Sequence, residues 1–163
     1  MTPSLKAVRF LVVEDSPYMA EIVREILKST GAIHITEADS LERAELALAT
    51  RPIDVIILDL NLGGQDGLKL LWKLRRDERS EVRFAPVIVL TAHTEKGKVL
   101  AARDAGATEF CRKPITVTEL MSKLARVIDS PRGFVESPAY AGPDRRRKTG
   151  EAYSGPERRA HRV

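Results

Sequence analysis

One run of six residues, DVIILD at 54–59, constrains the fold more than any other part of the sequence. A strand that is apolar at successive positions is covered on both faces, as the strands of a parallel sheet are. Further strands are predicted at VRFLVV (8–13), AIHITEA (32–38), VIVLTA (87–92) and TEFC (108–111). Segments with the apolar period of helices separate them. Five strands alternating with five helices predict an α/β fold, a doubly wound (βα)5 parallel sheet with helices on both faces.

The five helices have recognisable starts and ends. The first is expected to open at Ser16-Pro17 and end at Gly31, and the second to follow the cap residue Ser40. The others are predicted at about 66–76, 95–105 and 117–129. The second helix is expected to bury its apolar side, Ala44, Leu46, Ala47 and Leu48, and Trp72 of the third is predicted to be a packing residue.

Polar side chains collect where the predicted strands end. The first strand ends in Glu14-Asp15 and the third in Asp59. In such folds ligands bind outside the carboxyl ends of the strands, so three carboxylates are expected in one crevice. Like charges packed together need a cation among them, and oxygen-only ligands suit Mg²⁺.

The fourth strand ends in Thr91, a hydroxyl donor, and Lys113 follows the fifth. A carboxylate, a divalent metal, an ammonium and a hydroxyl together suit phosphoryl transfer to a carboxylate oxygen. The product would be an aspartyl phosphate.

These residues resemble the receiver domains of bacterial two-component response regulators, the CheY-like family. The resemblance covers about 7–129 and is carried by VVEDSP, VIILDLNLGGQDG, VLTA and FCRKPI. It implies the flavodoxin-like strand order 2-1-3-4-5. It also implies a signalling protein, not an enzyme, that receives its phosphoryl group from a histidine kinase or a phosphotransfer protein.

By the same resemblance each site residue has a role. Asp59 would accept the phosphoryl group. Mg²⁺ would be held by Glu14, Asp15, Asp59 and the backbone carbonyl of Asn61. Thr91 and Phe110 would form the switch pair. Lys113 would contact the phosphoryl group, and its bond to Pro114 is often cis in the family.

Phe110 and the pair Gly63-Gly64 depart from the family pattern. Phe110 stands where a hydroxyl-bearing Tyr is common, and either ring can change rotamer. Gly63-Gly64 stands where Pro is frequent, which predicts a more flexible loop after Asp59. His93 lies where the family tunes the lifetime of the phosphate, in a direction that the sequence does not indicate.

The net positive charge of the chain comes entirely from its C-terminal part. Residues 131–163 hold eight Lys/Arg and four Asp/Glu, and their excess equals the +4 of the whole chain. A neutral body with a basic tail suggests an anionic partner, although a solvated extension has the same composition. We expect a receiver domain at 1–130, a linker at 131–139 and an arginine-rich tail at 140–163, with no effector domain. No apolar run reaches the length of a membrane span, and the single Cys111 fits a reducing cytoplasm.

The tail contains one phrase twice, YAGPDRR at 140–146 and YSGPERR at 153–159, with five of seven positions identical. Gly-Pro before an acid predicts a turn that opens a short helix. The arginine guanidinium binds phosphate and the edge of guanine. Tyr can stack on bases, and a carboxylate accepts hydrogen bonds from guanine. A doubled set suits cyclic di-GMP, a two-fold symmetric dinucleotide.

The tail is similar to that of the CheY-like cyclic-di-GMP effectors of alphaproteobacteria, whose members act on the flagellar motor. The residues predicted to bind cyclic di-GMP are Tyr140, Asp144, Arg145, Arg146, Arg147, Tyr153, Glu157, Arg158 and Arg159. Two alternatives stay open. One is a plain CheY-like signalling module with an inert tail. The other is a tail that binds another partner or, less favoured, nucleic acid.

Overall fold

The structure of the protein, a computed structural model, describes residues 4–92 and 96–146. The strands are β1 (Arg9–Val13), β2 (His34–Ala38), β3 (Val55–Asp59), β4 (Asn61–Leu62), β5 (Gln65–Asp66), β6 (Val87–Thr91), β7 (Glu109–Arg112), β8 (Phe134–Ser137) and β9 (Tyr140–Pro143). The helices are α1 (Pro17–Ser29), α2 (Leu41–Thr50), α3 (Gly67–Arg76), α4 (Lys96–Ala105) and α5 (Val117–Asp129), with a 3₁₀ helix at Glu81–Phe84.

Five parallel strands form the main sheet in the order β2-β1-β3-β6-β7. Because β6 and β7 are the fourth and fifth strands of this sheet along the chain, the predicted order 2-1-3-4-5 is confirmed. The central strand β3 is buried at every residue, as its unbroken apolar run predicts.

Helices cover both faces of the sheet, and the residues of β1 alternate between two cores. Phe10 and Val12 pack with α1 and α5, whereas Leu11 and Val13 pack with α2, α3 and α4. This alternation follows from the two-residue period of a strand. The doubly wound architecture is therefore present, with one hydrophobic core on each side of the sheet.

Side-chain caps fix where the helices begin. The hydroxyl of Ser16 accepts a hydrogen bond from the backbone N–H of Met19, and Pro17 occupies the first turn of α1. Ser40, Asp66 and Thr116 cap α2, α3 and α5 in the same way. Each cap satisfies an N–H group that the helix leaves without an intrahelical partner.

Two apolar side chains were wrongly expected to be buried. Leu46 on α2 is 63% exposed and Trp72 on α3 is 54% exposed. Trp72 lies beside Leu70, Leu71 and Leu74, which are buried residues of α3, but points away from them. Its indole lies under the guanidinium of Arg76, 4.0 Å from the ring centroid.

The chain after α5 forms an antiparallel hairpin, β8–β9, which crosses the predicted boundary between linker and tail. Tyr140 and Ala141 are only 7% and 3% exposed, because β9 packs against α3, α4 and the 3₁₀ helix. The helical turn predicted for the first phrase is therefore wrong, since Tyr140–Pro143 is a strand. Pairing of β9 with β8 and burial of Tyr140 and Ala141 outweigh the local preference of Gly-Pro for a helix start.

A buried arginine joins this hairpin region to the sheet. Arg75, 1% exposed, donates to the backbone carbonyls of Gly106, Arg83 and Ala85. Burial lowers its pKa to about 10, so the guanidinium remains charged at neutral pH. Beside it, Arg83 pairs with Glu136 of β8 at 3.1 Å. The contacts tie α3, the 3₁₀ helix and the hairpin into one unit.

Candidate functional site

The strand register places two acidic residues side by side. Val13 of β1 pairs with Leu58 of β3, so the residues that follow them, Glu14 and Asp59, stand at the same level of the sheet. Glu14 is held there because its backbone N–H donates to the carbonyl of Ala38 at 3.0 Å. The two carboxyl ends meet as the parallel topology predicts.

A crevice of about 330 Å³ opens at this edge of the sheet. Its lining includes five of the residues predicted from the sequence, Glu14, Asp15, Asp59, Asn61 and Lys113. Glu14 and Asp59 are 3% and 4% exposed, whereas Asp15 is in contact with solvent. Ligand oxygens of Glu14, Asp15 and Asp59 all lie within 4.8 Å of one another.

Lys113 supplies the positive charge of the crevice. Its Nζ lies 2.7 Å from Oδ2 of Asp59 and 3.6 Å from Oε2 of Glu14. Burial alone would lower the pKa of Lys113. The hydrogen bond to Asp59 and the charges of both carboxylates outweigh this effect, and the pKa ends above its usual value. Lys113 is therefore a fixed cation, and its bond to Pro114 is cis.

Burial raises the pKa of Glu14 to about 7, and the neighbouring Asp59 adds to the shift. Oε1 of Glu14 accepts from the N–H of Ser16 at 3.2 Å. Its other oxygen, Oε2, is buried and has no hydrogen-bond partner within the described ranges 4–92 and 96–146. The Lys113 ammonium, 3.6 Å from Oε2, is beyond hydrogen-bond distance, and a buried oxygen without a hydrogen bond is costly.

A magnesium ion fits this arrangement. Three carboxylates with one unsatisfied oxygen are the ligand type that Mg²⁺ takes, and the accessible Asp15 leaves room for water molecules. Within the described part of the chain, these residues form the only acidic, cysteine and histidine cluster of metal-binding spacing.

The loop after Asp59 forms a tight hairpin, and the greater flexibility predicted from Gly63-Gly64 stays a prediction. Strands β4 and β5 pair across these two glycines, whose φ angles of 56° and 89° favour residues without a side chain. The N–H of Asn61 donates to Oδ1 of Asp59 at 3.0 Å and so orients that carboxylate. Two glycines between short polar segments are themselves a hairpin signal, which could have indicated this turn.

The two predicted switch residues occupy neighbouring strands. Thr91 ends β6 and is 3% exposed, and its carbonyl accepts from the N–H of Lys113 at 2.8 Å. Phe110 of β7 pairs with Val89 and is partly buried against the core that carries α2, α3 and α4. His93, proposed to tune the phosphate lifetime, lies outside the described residues.

The first tail phrase lies on the receiver body, away from the crevice. The hydroxyl of Tyr140 donates to the carbonyl of Pro143 at 2.6 Å. Arg145 lies over the Tyr140 ring, 4.4 Å from its centroid, and pairs with Asp104 of α4 at 2.7 Å. Asp144 accepts from Arg146. A base cannot stack on Tyr140 in this position, because the ring is buried and already faces Arg145.

The other residues predicted to bind cyclic di-GMP, Arg147, Tyr153, Glu157, Arg158 and Arg159, lie outside the described residues. The second phrase therefore stays a sequence-based expectation.

A family model, the response regulator receiver domain, matches residues 10–125. The chain belongs to this family. The receiver is 39% identical over 114 residues to the KDP operon transcriptional regulatory protein KdpE of Escherichia coli, covering 70% of this chain and 48% of that protein. It thus spans about half the length of that relative. It is 31% identical to chemotaxis protein CheY-3 of Vibrio cholerae, covering 76% of this chain and 94% of CheY-3.

Solved structures agree with the fold. A response regulator of Chloroflexus aurantiacus superposes with a TM-score of 0.69 at 26% identity, covering 75% of this chain and 98% of that one. A sensor protein of Polaromonas sp. JS666 does so with a TM-score of 0.68 at 30% identity, covering 77% and 98%. The part that matches the family model ends at residue 125, before the C-terminal hairpin.

Receiver domains are signalling modules that bind Mg²⁺ at an acidic pocket, here the cluster of Glu14, Asp15 and Asp59. Membership also implies a histidine kinase or phosphotransfer protein as partner. None of the helices described in 4–92 and 96–146 is long and apolar enough to cross a membrane.

Proposed function

We propose that Asp59 of this receiver accepts a phosphoryl group from a histidine kinase or phosphotransfer protein, with Mg²⁺ held by Glu14, Asp15, Asp59 and the backbone carbonyl of Asn61. The observation that carries the proposal is the position of Asp59. Its carboxylate is buried, lies 2.7 Å from a lysine ammonium and is oriented by a backbone N–H.

The reaction balances without a further reactant. A carboxylate oxygen of Asp59 forms a bond to phosphorus as the bond between phosphorus and the donor's imidazole nitrogen breaks, and that nitrogen keeps the electron pair. Mg²⁺, when bound, neutralises charge on the phosphoryl oxygens. Lys113 faces the same oxygens and stabilises the charge that they carry in the transition state. Thr91 is proposed to donate a hydrogen bond to the phosphorylated site, and Phe110 to change rotamer with it.

Labelling with a small phosphodonor tests this proposal. Purified protein incubated with acetyl phosphate and Mg²⁺ should become an acid-stable, hydroxylamine-sensitive phosphoprotein. Asp59→Asn should not be labelled, and chelation of the metal should abolish labelling of the wild type. Asp77→Asn, an exposed carboxylate at the end of α3, is the matched control and should be labelled normally. Labelling of Asp59→Asn at the wild-type rate would contradict the assignment.

The tail is proposed to bind cyclic di-GMP, and the complex to control docking on a partner such as the flagellar motor switch. Support comes from the duplicated phrase and from the placement of Arg145 and Arg146, which are on the surface of the first phrase. The similar protein CheY-3, of which the match covers 94%, is named a chemotaxis protein. Arginine guanidinium groups form paired hydrogen bonds with phosphates and with the guanine edge. Once one phrase has bound the ligand, the other phrase binds it at a high effective concentration.

Calorimetric titration tests the tail proposal. Wild type should bind cyclic di-GMP, and both double variants, Arg145→Ala with Arg146→Ala and Arg158→Ala with Arg159→Ala, should lose most of the affinity. Cyclic di-AMP should bind far more weakly, because adenine lacks the O6 acceptor and the N1 and N2 donors of guanine. Equal binding of both dinucleotides would show charge attraction alone. Absence of binding would favour the plain CheY-like module with an inert tail.

Nucleic acid is the second candidate for the tail, since a basic segment attracts phosphate backbones in general. The acid in each phrase argues against it. A competition experiment distinguishes the two ligands. If the tail is specific for cyclic di-GMP, single-stranded RNA should not displace it at physiological salt.

A further inference from the structure

An exposed tryptophan lies in a groove next to the tail's first phrase. The α3–α4 groove, about 550 Å³, is formed by Leu68, Trp72 and Arg76 of α3, Asp104 and Ala105 of α4, and Ala139 at the tip of the hairpin. Leu68, Trp72 and Arg76 are four residues apart in sequence and so follow one side of α3. Indole, carboxylate and guanidinium groups therefore share one surface concavity.

Packing in the core does not explain Trp72. More than half of the residue is exposed, although tryptophan is among the most costly side chains to leave in water. The Arg76 guanidinium lies over the ring, 4.0 Å from its centroid, and Trp72 lines the groove. An exposed indole with a guanidinium against its ring is a surface on which nucleic-acid bases can stack.

The tail reaches this groove by a specific contact. Arg145 is paired with Asp104 at 2.7 Å, and Asp104 lines the groove. The first phrase thus places Arg145 beside the groove that contains Trp72, in contact with one of its lining residues. Tyr140, the aromatic residue of that phrase, is buried and cannot stack on a base.

We propose that the α3–α4 groove is part of the dinucleotide site: a guanine base stacks on Trp72, and Arg76 and Arg145 contact the adjoining phosphates. This inference rests on the proposed binding of cyclic di-GMP by the tail, and it assigns the receiver body a share of the ligand. The groove has the volume of a small-molecule site and holds one base with its phosphate. Its charge favours an anion, because Lys69 and Arg76 on its α3 side and Arg145 beside it outnumber the carboxylate of Asp104.

The single tryptophan of the chain makes the test direct. Cyclic di-GMP added to the full-length protein should quench the fluorescence of Trp72 over the same concentration range in which calorimetry detects binding. Trp72→Ala should weaken binding by about tenfold or more, the effect of losing one stacked base. Trp72→Phe keeps a ring and should stay within about threefold of wild type, which also guards against a folding defect.

Two control variants separate stacking from general effects. Tyr18→Ala removes an aromatic residue that is 73% exposed on α1, far from α3 in the chain, and should bind as wild type does. Lys73→Ala removes a cation of α3 that pairs with Glu45 of α2 at 3.1 Å, and should have little effect.

The outcomes distinguish this inference from the proposed function. If Trp72→Ala binds normally in calorimetry and wild-type fluorescence is not quenched, the groove does not bind the base. The proposal that the tail binds cyclic di-GMP would be unaffected. No binding by wild type would overturn the tail proposal and the groove with it. Equal quenching by a polyglutamate peptide would show a basic surface for an acidic protein segment, and would also overturn the inference.

Discussion

At the residue scale, Lys113 is the group on which the crevice depends. One ammonium faces two carboxylates that are almost fully buried, at 2.7 Å from Asp59 and 3.6 Å from Glu14. In the proposed phosphorylated state of Asp59, the same ammonium would contact the phosphoryl oxygens. Such a charge-assisted contact is worth about 1.5–3 kcal/mol.

Lys113→Ala should therefore leave the fold intact but separate phosphorylation from its consequence. We expect Asp59 still to be labelled by acetyl phosphate, although more slowly, while the change in partner affinity on phosphorylation is lost. Measuring partner affinity with and without the phosphodonor tests this. Lys123→Ala, a lysine on α5 that pairs with Glu109 outside the crevice, is the matched control. An undiminished shift in Lys113→Ala would contradict the role given to the ammonium.

Glu14 gives the metal-free protein a distinctive pH dependence. Its pKa is about 7 in the folded protein against 4.5 when exposed, so the folded state holds the proton more strongly. Ionisation therefore costs folding free energy: nothing below pH 4.5, increasingly between pH 4.5 and 7, and fully above pH 7. From the size of the shift the cost is on the order of 3 kcal/mol.

Glu14→Gln should remove this cost. In the presence of a chelator, the variant should equal the wild type in stability at pH 4.5 and exceed it at pH 8, as measured by urea unfolding. Adding Mg²⁺ should reverse the order, because only the wild type then gains a full set of ligands. Glu78→Gln, an exposed residue outside the crevice, should show no such crossover. A difference between Glu14→Gln and wild type that does not change with pH would contradict the assignment.

At the element scale, the joint between α4 and the hairpin depends on one glycine. Gly106 follows the last residue of α4 with a φ of +111°, and a Cβ there would lie 2.7 Å from Cγ of Arg75 and 2.8 Å from the carbonyl oxygen of Ala141. The backbone of β9 can approach the body only because this side chain is missing. Gly97, in the first turn of the same helix, has nothing within 4 Å of such a Cβ.

Gly106→Ala should lower the free energy of unfolding by at least about 2 kcal/mol, from the left-handed backbone and from the displaced hairpin. Gly97→Ala should raise it by up to about 1 kcal/mol, since alanine favours a helix. Chemical denaturation of the two variants and wild type compares them on one helix. Equal effects of the two substitutions would mean that the hairpin is not packed against α4.

The elements of the sheet could be predicted because their signals are local. Val55 to Leu58 is apolar without interruption, and Ser16, Ser40 and Thr116 mark helix starts by side-chain chemistry alone. The hairpin carries no such signal. FVES and YAGP are short and weakly patterned, and they form strands because Arg75 and Gly106, distant in sequence, supply the surface beneath them.

Burial was harder to predict than secondary structure. Trp72 follows Leu71 and precedes Leu74, both buried, but helical geometry turns it to the other side of α3. Residue type alone favoured the core, whereas position on the helix decided the outcome. The acidic crevice could be predicted, because the positions of Glu14 and Asp59 at the ends of adjacent parallel strands determine that they lie together.

At the scale of the whole molecule, the receiver body and the first tail phrase form one folded unit. Glu136 pairs with the buried Arg83, and Arg132 pairs with the buried Glu109 at 3.2 Å. Tyr140 and Ala141 complete the cover over α3 and α4. A chain shortened to the predicted receiver boundary would therefore expose a buried arginine cluster, not merely lose an appendage.

Two truncations test this view. Ending the chain after Ser130 should lower the melting temperature by about 5 °C or more, because Arg75, Arg83 and Glu109 lose cover or partners. Ending it after Asp144 keeps the whole hairpin and removes the surface pairs of Arg145 with Asp104 and of Arg146 with Asp144, and should stay within about 2 °C of the full chain. Both should still be labelled at Asp59, since the crevice lies at the other ends of the strands. If the shorter chain melts at the temperature of the longer one, the hairpin adds nothing to the fold. If both truncated chains bind cyclic di-GMP as the full chain does, the arginines of the tail are not the ligand's site.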